Sequence, residues 1–215
     1  GIAPEIDTFD GGQSYLFSRI GAYQEPDESA LSFVARIDTL DPRGGEAAPQ
    51  VARFPPLQRH FASYGGNSCL GNPTFGDNPA RRGEEPVGLV GHFYFGSREY
   101  FQGPLSGRGD AGRQIGLTAT GWLETAPFVV AGKSLHMLIG GTDNPEACFV
   151  ALIDAATDTV IFRKSGHGQD RMIPWAWDLR DLAGREVYLR IEDSDVLGHI
   201  NVDEIHESEE VVTAA

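Results

Sequence analysis

The sequence lacks the features that most quickly assign a protein to a class. Its two cysteines, Cys69 and Cys148, belong to no Cys-x-x-Cys pair, which argues against a structural zinc site. No apolar run approaches the roughly 20 residues that span a bilayer. No cleavable signal is visible, and a first residue other than methionine is what we expect of a processed or trimmed chain. The motifs P-loop, GxGxxG and GxSxG, which mark nucleotide binding and nucleophilic catalysis, are also missing.

Two cysteines leave the state of the thiols open. In an exported protein Cys69 and Cys148 would form one disulfide, and otherwise they would be small buried apolar residues. Cys148 lies in an apolar strand pattern, which favours free, buried thiols.

Basic residues are scarce relative to acidic ones. The chain has 17 basic and 31 acidic residues, a net charge of −14. Because such a surface repels polyanions, nucleic acid is not an expected partner. High acidity favours solubility and cation binding but does not specify a fold.

Turn-forming residues and short alternating segments are abundant. The 27 glycines and 13 prolines indicate many turns, and a hydrophobic content of 40% is enough for a core. Helix signals are weak, and Trp177–Leu182 fits either one helical turn or a strand with a tight turn. The polar stretch Asp154–Asp158 predicts a hairpin turn. Segments with strand patterns are Ser32–Ile37, Phe93–Phe95, Gly121–Leu123, Leu135–Ile139, Cys148–Ile153, Thr159–Arg163, Glu186–Ile191 and His199–Ile205.

Many short strands at regular spacing predict an all-β fold, an antiparallel two-sheet β-sandwich of the jelly-roll type. We expect three parts in the chain. Residues 1–59 form an N-terminal segment with one core strand and an insertion, which includes a long loop over Asp41–Pro56. Residues 60–207 form the sandwich, and residues 208–215 form a flexible tail.

A series of motifs in the second half has a familiar order. A strand ending in Gly-Gly, a hairpin, a Trp-Asp strand and a Gly-His-Ile-Asn-x-Asp segment follow one another. They are GWLETAPFVV (121–130), LHMLIGG (135–141), CFVALIDAATDTVIFRKSG (148–166), WDLRDLAGREVYLRIEDSD (177–195) and GHINVDEI (198–205). Upstream, NPTFGDNPARRG (72–83), GHFYFGSREYF (91–101) and Gly109-Asp110 belong to the same pattern.

These motifs resemble galactose-binding-like β-sandwich modules, the carbohydrate-binding modules attached to fructan (levan and inulin) hydrolases and to bacterial surface proteins. The resemblance covers about two-thirds of the chain. It implies a secreted module that binds a glycan without catalysis and carries a structural calcium ion. The family has Gly-Gly-Trp before Gly-His where this chain has Asp195-Val196-Leu197, so an aromatic sugar-stacking or packing surface is lost.

Candidate sugar-binding residues follow from the chemistry of glycans. Sugars are bound by planar bidentate groups on adjacent hydroxyls and by aromatic faces on the ring. For Arg82 the alternative is a loop salt bridge with Glu84 or Glu85. For Trp175 and Trp177 the alternative is core packing, which we expect for Trp177. The family-like segments supply charged groups at Arg82, Glu99, Asp110 and Arg163, and rings at Tyr94, Tyr100 and Trp175.

A calcium site is the second candidate. In a jelly roll the first and last strands are neighbours, which would bring Asp10 close to Asp203 and Glu204. Carboxylate and carbonyl oxygens are the ligands that Ca²⁺ prefers. Alternatively, Asp203 caps a turn or bonds to His199 and no metal is present.

The six histidines form no HxH or HExxH motif. We expect His199 to make a structural hydrogen bond and His136 to be a core or rim residue. Three functional hypotheses follow. The first is a non-catalytic glycan-binding module with fructan as a candidate ligand. The second is a structural subunit of an extracellular complex or surface layer, and the third is a polysaccharide-active enzyme, for which no catalytic signature is present.

Overall fold

The computed structural model describes residues 61–104, 110–116 and 118–212. The predicted strand Ser32–Ile37, the predicted loop Asp41–Pro56 and the candidate ligand Asp10 therefore lie outside the described residues. Within these ranges no helix is long and apolar enough to cross a membrane.

Strands dominate the described part of the chain, and helix is limited to single turns at Asn78–Arg81 (α), Asn67–Cys69 and Arg180–Leu182 (both 3₁₀). The predicted all-β class is confirmed. The strands are β1 (Phe61–Gly66), β2 (Thr74–Phe75), β3 (Phe93–Gly96), β4 (Gly121–Thr125), β5 (Phe128–Val129), β6 (Ser134–Gly141), β7 (Cys148–Asp154), β8 (Val160–Lys164), β9 (Gln169–Asp178), β10 (Glu186–Asp193) and β11 (Ile200–Ser208).

The strands form two antiparallel sheets. Sheet I has the order β1-β4-β10-β7-β8, with the short β5 also paired to β10, and sheet II has the order β2-β3-β11-β6-β9. In β10, Val187, Leu189 and Ile191 are buried and alternate with residues that are exposed or half-buried. This period of two points one face of the strand at the opposing sheet and the other face outward.

The core lies between the two sheets. Leu135, Met137 and Ile139 of sheet II pack in one cluster with residues of β7 and β10 in sheet I. Burying each large aliphatic side chain contributes roughly 1.5–3 kcal/mol. The interior therefore supplies the main stabilisation of the sandwich.

Strand β7 is buried at every position, which explains its unbroken apolar sequence. Its inward side chains join the core, while Phe149, Ala151 and Ile153 form a second cluster with Tyr188 on the outer face of sheet I. The hairpin that follows is confirmed, since the Asp154 carboxylate accepts the amides of Ala156 and Thr157 in the turn.

In residues 169–182 the structure departs most from what the sequence pattern predicts. The segment predicted as helix or strand is divided: Trp177 and Asp178 end β9, and Arg180–Leu182 forms a 3₁₀ turn. The first part of β9 carries polar residues and Pro174, so its sequence lacks the alternation that predicts a strand. A proline is tolerated there because β9 lies at the edge of sheet II, where β6 is its ladder partner among the described strands.

Candidate functional site

Six charged or titratable side chains meet at one end of sheet II. We call them the end cluster: Arg82, Glu84, Arg98, Glu99, Asp170 and His199. Sheet topology explains the meeting. Strand β3 runs antiparallel to β11, and β9 and β11 both run antiparallel to β6. The end of β3 and the starts of β9 and β11 therefore lie at the same end of the sheet.

Glu99 is the centre of the end cluster. Its side chain is fully buried and receives a bidentate pair from Arg82, with Nη1 at 2.7 Å and Nη2 at 2.8 Å from the two carboxylate oxygens. Nε of Arg98 lies 3.5 Å from the same carboxylate. Two guanidinium groups thus compensate a carboxylate that would be costly to bury alone.

Gly96 makes this close packing possible. A Cβ atom added at Gly96 would lie 2.8 Å from Cγ of Glu99 and 2.8 Å from Cε2 of Tyr94, and 3.2 Å from Oδ1 of Asn201. Any other residue would push these side chains apart. The strand residue Gly96 is thus required for close approach of side chains.

The outer members of the cluster reach the surface. The carboxylate of Glu84, 39% exposed, accepts bonds from Arg82 and Arg98, each at 2.9 Å. Nη2 of Arg98 also donates to Asp170 at 2.8 Å. Asp170 in turn accepts from Nε2 of His199 at 2.5 Å. Arg98, Asp170 and His199 remain 11–16% exposed, so part of each side chain reaches solvent.

The neighbouring charges in the cluster shift the pKa values of Asp170 and Arg82. Burial alone would raise the pKa of Asp170, but the hydrogen bond from His199 and the charge of Arg98 hold that pKa below its usual value. Burial opposes the charge on Arg82, but the bonds to Glu99 and Glu84 raise its pKa. An ionised Asp170 is suited to accept hydrogen bonds and unsuited to donate a proton as a general acid.

Chemically, the cluster presents fixed planar groups at a surface. Two guanidinium groups and three carboxylates leave one net negative charge when His199 is neutral. Carboxylate and guanidinium groups bond in pairs to adjacent hydroxyls, and here their orientations are set by the buried centre. The arrangement suits a neutral polyhydroxylated ligand better than an anion.

Three of the predicted sugar-binding residues come together here, namely Arg82, Glu99 and Tyr94. Tyr94 is only 3% exposed and packs with Val87 and Met172. Burial and the charge of Glu99 raise the pKa of its phenol, so the hydroxyl stays neutral. Arg82 also forms the predicted loop salt bridge with Glu84, together with the pair to Glu99.

The other predicted residues lie elsewhere. Arg163, on β8 of sheet I, places its guanidinium 4.5 Å from the centre of the Phe149 ring and 3.2 Å from the Glu146 carboxylate. Asp110 is exposed and its carbonyl accepts the amide of Arg113 in a turn. Tyr100 lies under the guanidinium of Arg113, 5.1 Å away.

The two tryptophans of β9 have different surroundings. Trp177 is 6% exposed and stacks on Phe162 with centroids 5.5 Å apart, which confirms the predicted core role. Trp175 is 39% exposed, and Nζ of Lys164 lies 4.3 Å from its ring centre. Trp175 bridges the edge strands β8 and β9 and still presents indole surface to solvent.

The predicted calcium ligands do not make a complete site among the described residues. Asp203 is buried, and its carboxylate accepts the amides of Val90 at 2.9 Å and Glu204 at 2.8 Å. Ca²⁺ takes six to eight oxygen ligands. Within residues 61–104, 110–116 and 118–212 no three His, Cys, Asp or Glu side chains are grouped to hold a metal. Since Asp10 lies outside these residues, the calcium site stays a prediction.

Sequence reasoning missed Arg98 and Asp170. Of the two non-metal alternatives for Asp203, the structure shows local hydrogen bonding to the amide of Glu204, whereas the ring of His199 bonds to Asp170. The signal for Arg98 was its position beside Glu99 after a short strand. Asp170 gave no signal, since its part of β9 does not alternate.

Cys148 is free and buried, as the sequence favoured. Its thiol donates to Oδ1 of Asp193 at 3.1 Å. Burial raises the pKa of this thiol well above its usual range, and the neighbouring Asp193 carboxylate adds to that effect. The thiol is therefore protonated and poorly reactive at neutral pH.

No family model matches the chain. A putative glycosyl hydrolase, ecdE, from Aspergillus rugulosus is 29% identical over 116 residues, which cover 48% of this chain but only 16% of that protein. The K1 cleaved adhesin domain of Lys-gingipain from Porphyromonas gingivalis W83 is 15% identical, with a TM-score of 0.39 and coverage of 74% and 98% of the two chains. A family 35 carbohydrate-binding module from an environmental isolate is 12% identical, with a TM-score of 0.36 and coverage of 73% and 92%. TM-scores this low carry no functional argument.

Proposed function

We propose that this domain is a secreted, non-catalytic carbohydrate-binding module whose ligand contacts the end cluster. The observation that carries the proposal is the set of planar charged groups, Arg98, Asp170 and Glu84, held in fixed orientations by the buried Glu99. Prior orientation lowers the entropy that binding would otherwise cost. Charged groups of this kind make strong hydrogen bonds, which sugar hydroxyls can donate and accept.

A fructan-like polysaccharide is the ligand that we propose first. The resemblance of residues 121–205 to modules attached to fructan hydrolases supports this choice. Trp175, which is 39% exposed and lies against Lys164 of β8, belongs to a different surface and is not needed for this contact.

The test is a glycan array followed by affinity gels that contain levan, inulin and unrelated polysaccharides. Asp170→Asn should weaken binding at least about tenfold, because it removes the charge that orders Arg98 and His199. Asp178→Asn is the matched control, since Asp178 lies on the same strand and pairs with Arg180 outside the cluster. Circular dichroism of both variants checks the fold. Silence across a broad panel, or equal binding by Asp170→Asn, contradicts the proposal.

A structural role in an extracellular assembly is the second candidate. Val196 and Leu197 are 55% and 79% exposed, on the turn where the related modules have an aromatic residue. The turn is held by Asp195, whose carboxylate binds Asn144 and the amide of Leu197. Light scattering after size exclusion should show a discrete oligomer that Leu197→Ser dissociates. A monomer at all concentrations removes this candidate.

A structural calcium ion, bound by Asp10, Asp203 and Glu204, is a separate proposal. The two described carboxylates are too few on their own, so residues before 61 would have to supply further oxygens. An ion bound only by the native state stabilises it by mass action. Chelation should therefore lower the melting temperature and calcium should restore it. An unchanged melting temperature leaves Asp203 as a hydrogen-bond acceptor only.

A further inference from the structure

An exposed tryptophan lies at the open edge of the sandwich, on a different surface from the end cluster. Strand β8 ends the order of sheet I, and β9 ends that of sheet II. On β9, Trp175 pairs with Met137 of β6, and on β8, Lys164 pairs with Val150 of β7. Both partners belong to the core, and residues directly opposite each other in a sheet share a face. Trp175 and Lys164 therefore project from the two sheets towards each other.

This edge is closed at one position and open at the next. Trp177 stacks on Phe162, with planes inclined by 20°, and the two rings cover the interior. Two residues away on each strand, Trp175 and Lys164 take the corresponding positions, but Trp175 is 39% exposed. Ile173, the next residue on that face of β9, is 37% exposed. An apolar surface with an ammonium group at its border is thus open to solvent.

The ammonium of Lys164 has no counter-charge among the described residues. Its Nζ lies 4.3 Å from the centre of the Trp175 ring, and the side chain makes no ion pair within residues 61–104, 110–116 and 118–212. A cation over an indole face is attracted by the ring quadrupole. The N–H groups of the ammonium can still donate to a carboxylate, which accepts more strongly than a neutral oxygen.

The position of the ammonium favours one class of ligand. Sugars stack on aromatic faces, and Lys164 covers part of the ring face that a sugar would use. A neutral sugar would displace the ammonium without replacing its contact, whereas a sugar carboxylate would exchange that contact for an ion pair. The chain's net charge of −14 repels densely charged polymers, which disfavours sulfated chains. We propose that Trp175 and Lys164, with Ile173 beside them, form a second binding site, specific for a uronate sugar.

Calorimetry of the full chain with trigalacturonate and with its methyl ester tests the proposal, because the ester keeps the sugar rings and removes the charge. We expect the acid to bind at least about tenfold more tightly than the ester. Lys164→Met keeps an apolar side chain without the charge and should bind both forms equally. Trp175→Ala should weaken binding of the acid at least about tenfold. Arg163→Met is the matched control and should bind as the parent does, since Arg163 is the neighbouring cation on β8 and lies over Phe149 on the outer face of sheet I.

Thermal melts show whether each variant remains folded, and Lys164→Met carries the test if Trp175→Ala is unstable. The proposal is overturned if the parent binds acid and ester equally, or binds neither below about 10 mM. It is also overturned if Arg163→Met acts as Lys164→Met does, or if polyglutamate, which has carboxylates without sugar rings, binds as tightly as trigalacturonate. Asp170→Asn separates this site from the end cluster, because it should leave binding of the acid unchanged. A loss in that variant would assign the acid to the end cluster and contradict the proposal.

Discussion

The interior between the sheets and the end cluster are both tightly packed, but they are stabilised by different forces. The interior consists of apolar side chains such as Leu189 and Ile200, each 0% exposed. The end cluster surrounds an equally buried carboxylate, Glu99, with guanidinium groups. Apolar packing tolerates shape-conserving change, whereas a buried charge requires its partners. The comparison indicates that the interior sets stability, whereas the end cluster fixes the orientations of polar groups around a buried charge.

The largest effect is expected in the interior. Leu189→Ala removes a fully buried side chain at the centre of β10 and should reduce the free energy of unfolding by about 4 kcal/mol. Urea denaturation measures this change. Leu197→Ala, at a residue 79% exposed, is the control and should alter stability by less than about 0.5 kcal/mol. Equal losses in the two variants would mean that β10 does not pack in the core.

The centre of the end cluster comes next. Glu99→Gln leaves Arg82 and Arg98 without their buried counter-charge and should cost about 3 kcal/mol in the free energy of unfolding. If Glu99→Gln leaves the free energy of unfolding unchanged, the buried charge of Glu99 is not needed for stability. The end cluster and the apolar interior would then differ only in how their side chains pack.

Replacement of Asp193 is expected to change stability in the opposite direction, towards a more stable protein. This carboxylate is 1% exposed, and burial raises its pKa, although bonds from Ser97 and Cys148 offset part of the rise. Below the pKa of the unfolded chain both states are protonated and the group has no effect. As pH rises from there through the raised pKa, the unfolded state ionises first and the native state loses stability.

Asp193→Asn should therefore stabilise the protein at pH 7 by on the order of 1 kcal/mol, with no gain at pH 3. Thermal melts of the parent and the variant across this range give the difference. A gain of equal size at every pH would assign the effect to packing and not to charge.

The smallest effect on stability is expected at the rim of the cluster. Glu84 is 39% exposed, and exposed ion pairs contribute at most about 1 kcal/mol. Glu84→Gln should change the melting temperature very little and yet weaken glycan binding. A loss of stability comparable to that of Glu99→Gln would make the whole cluster a structural feature.

Much of the fold was predictable from local patterns. The alternation in Glu186–Ile191 and in Leu135–Ile139 gave the inward and outward faces of β10 and β6 correctly. The polar residues after Asp154 gave the hairpin. Strand β9 was harder to predict, because an exposed edge strand with a proline need not alternate between apolar and polar residues. Trp175 and Trp177 lie on the same face of β9, but only Trp177 is covered by the core, and the sequence does not show this difference.

The site was only partly predictable. Arg82 and Glu99 were candidates because of their residue type and their segments, but nothing local joined them to each other. Arg163 and Trp175 were also candidates because of their residue type, but they lie on other surfaces. Residue type alone does not tell which charged side chains are neighbours.

The sequence by itself determined that this chain folds as two facing antiparallel sheets, because period-two burial is written into each strand separately. Only the tertiary structure decided that Arg82 and His199, 117 positions apart, belong to one cluster. It also paired His136 with His206. Such contacts depend on strand order and register, which arise from the packing of the whole sandwich and not from any one segment.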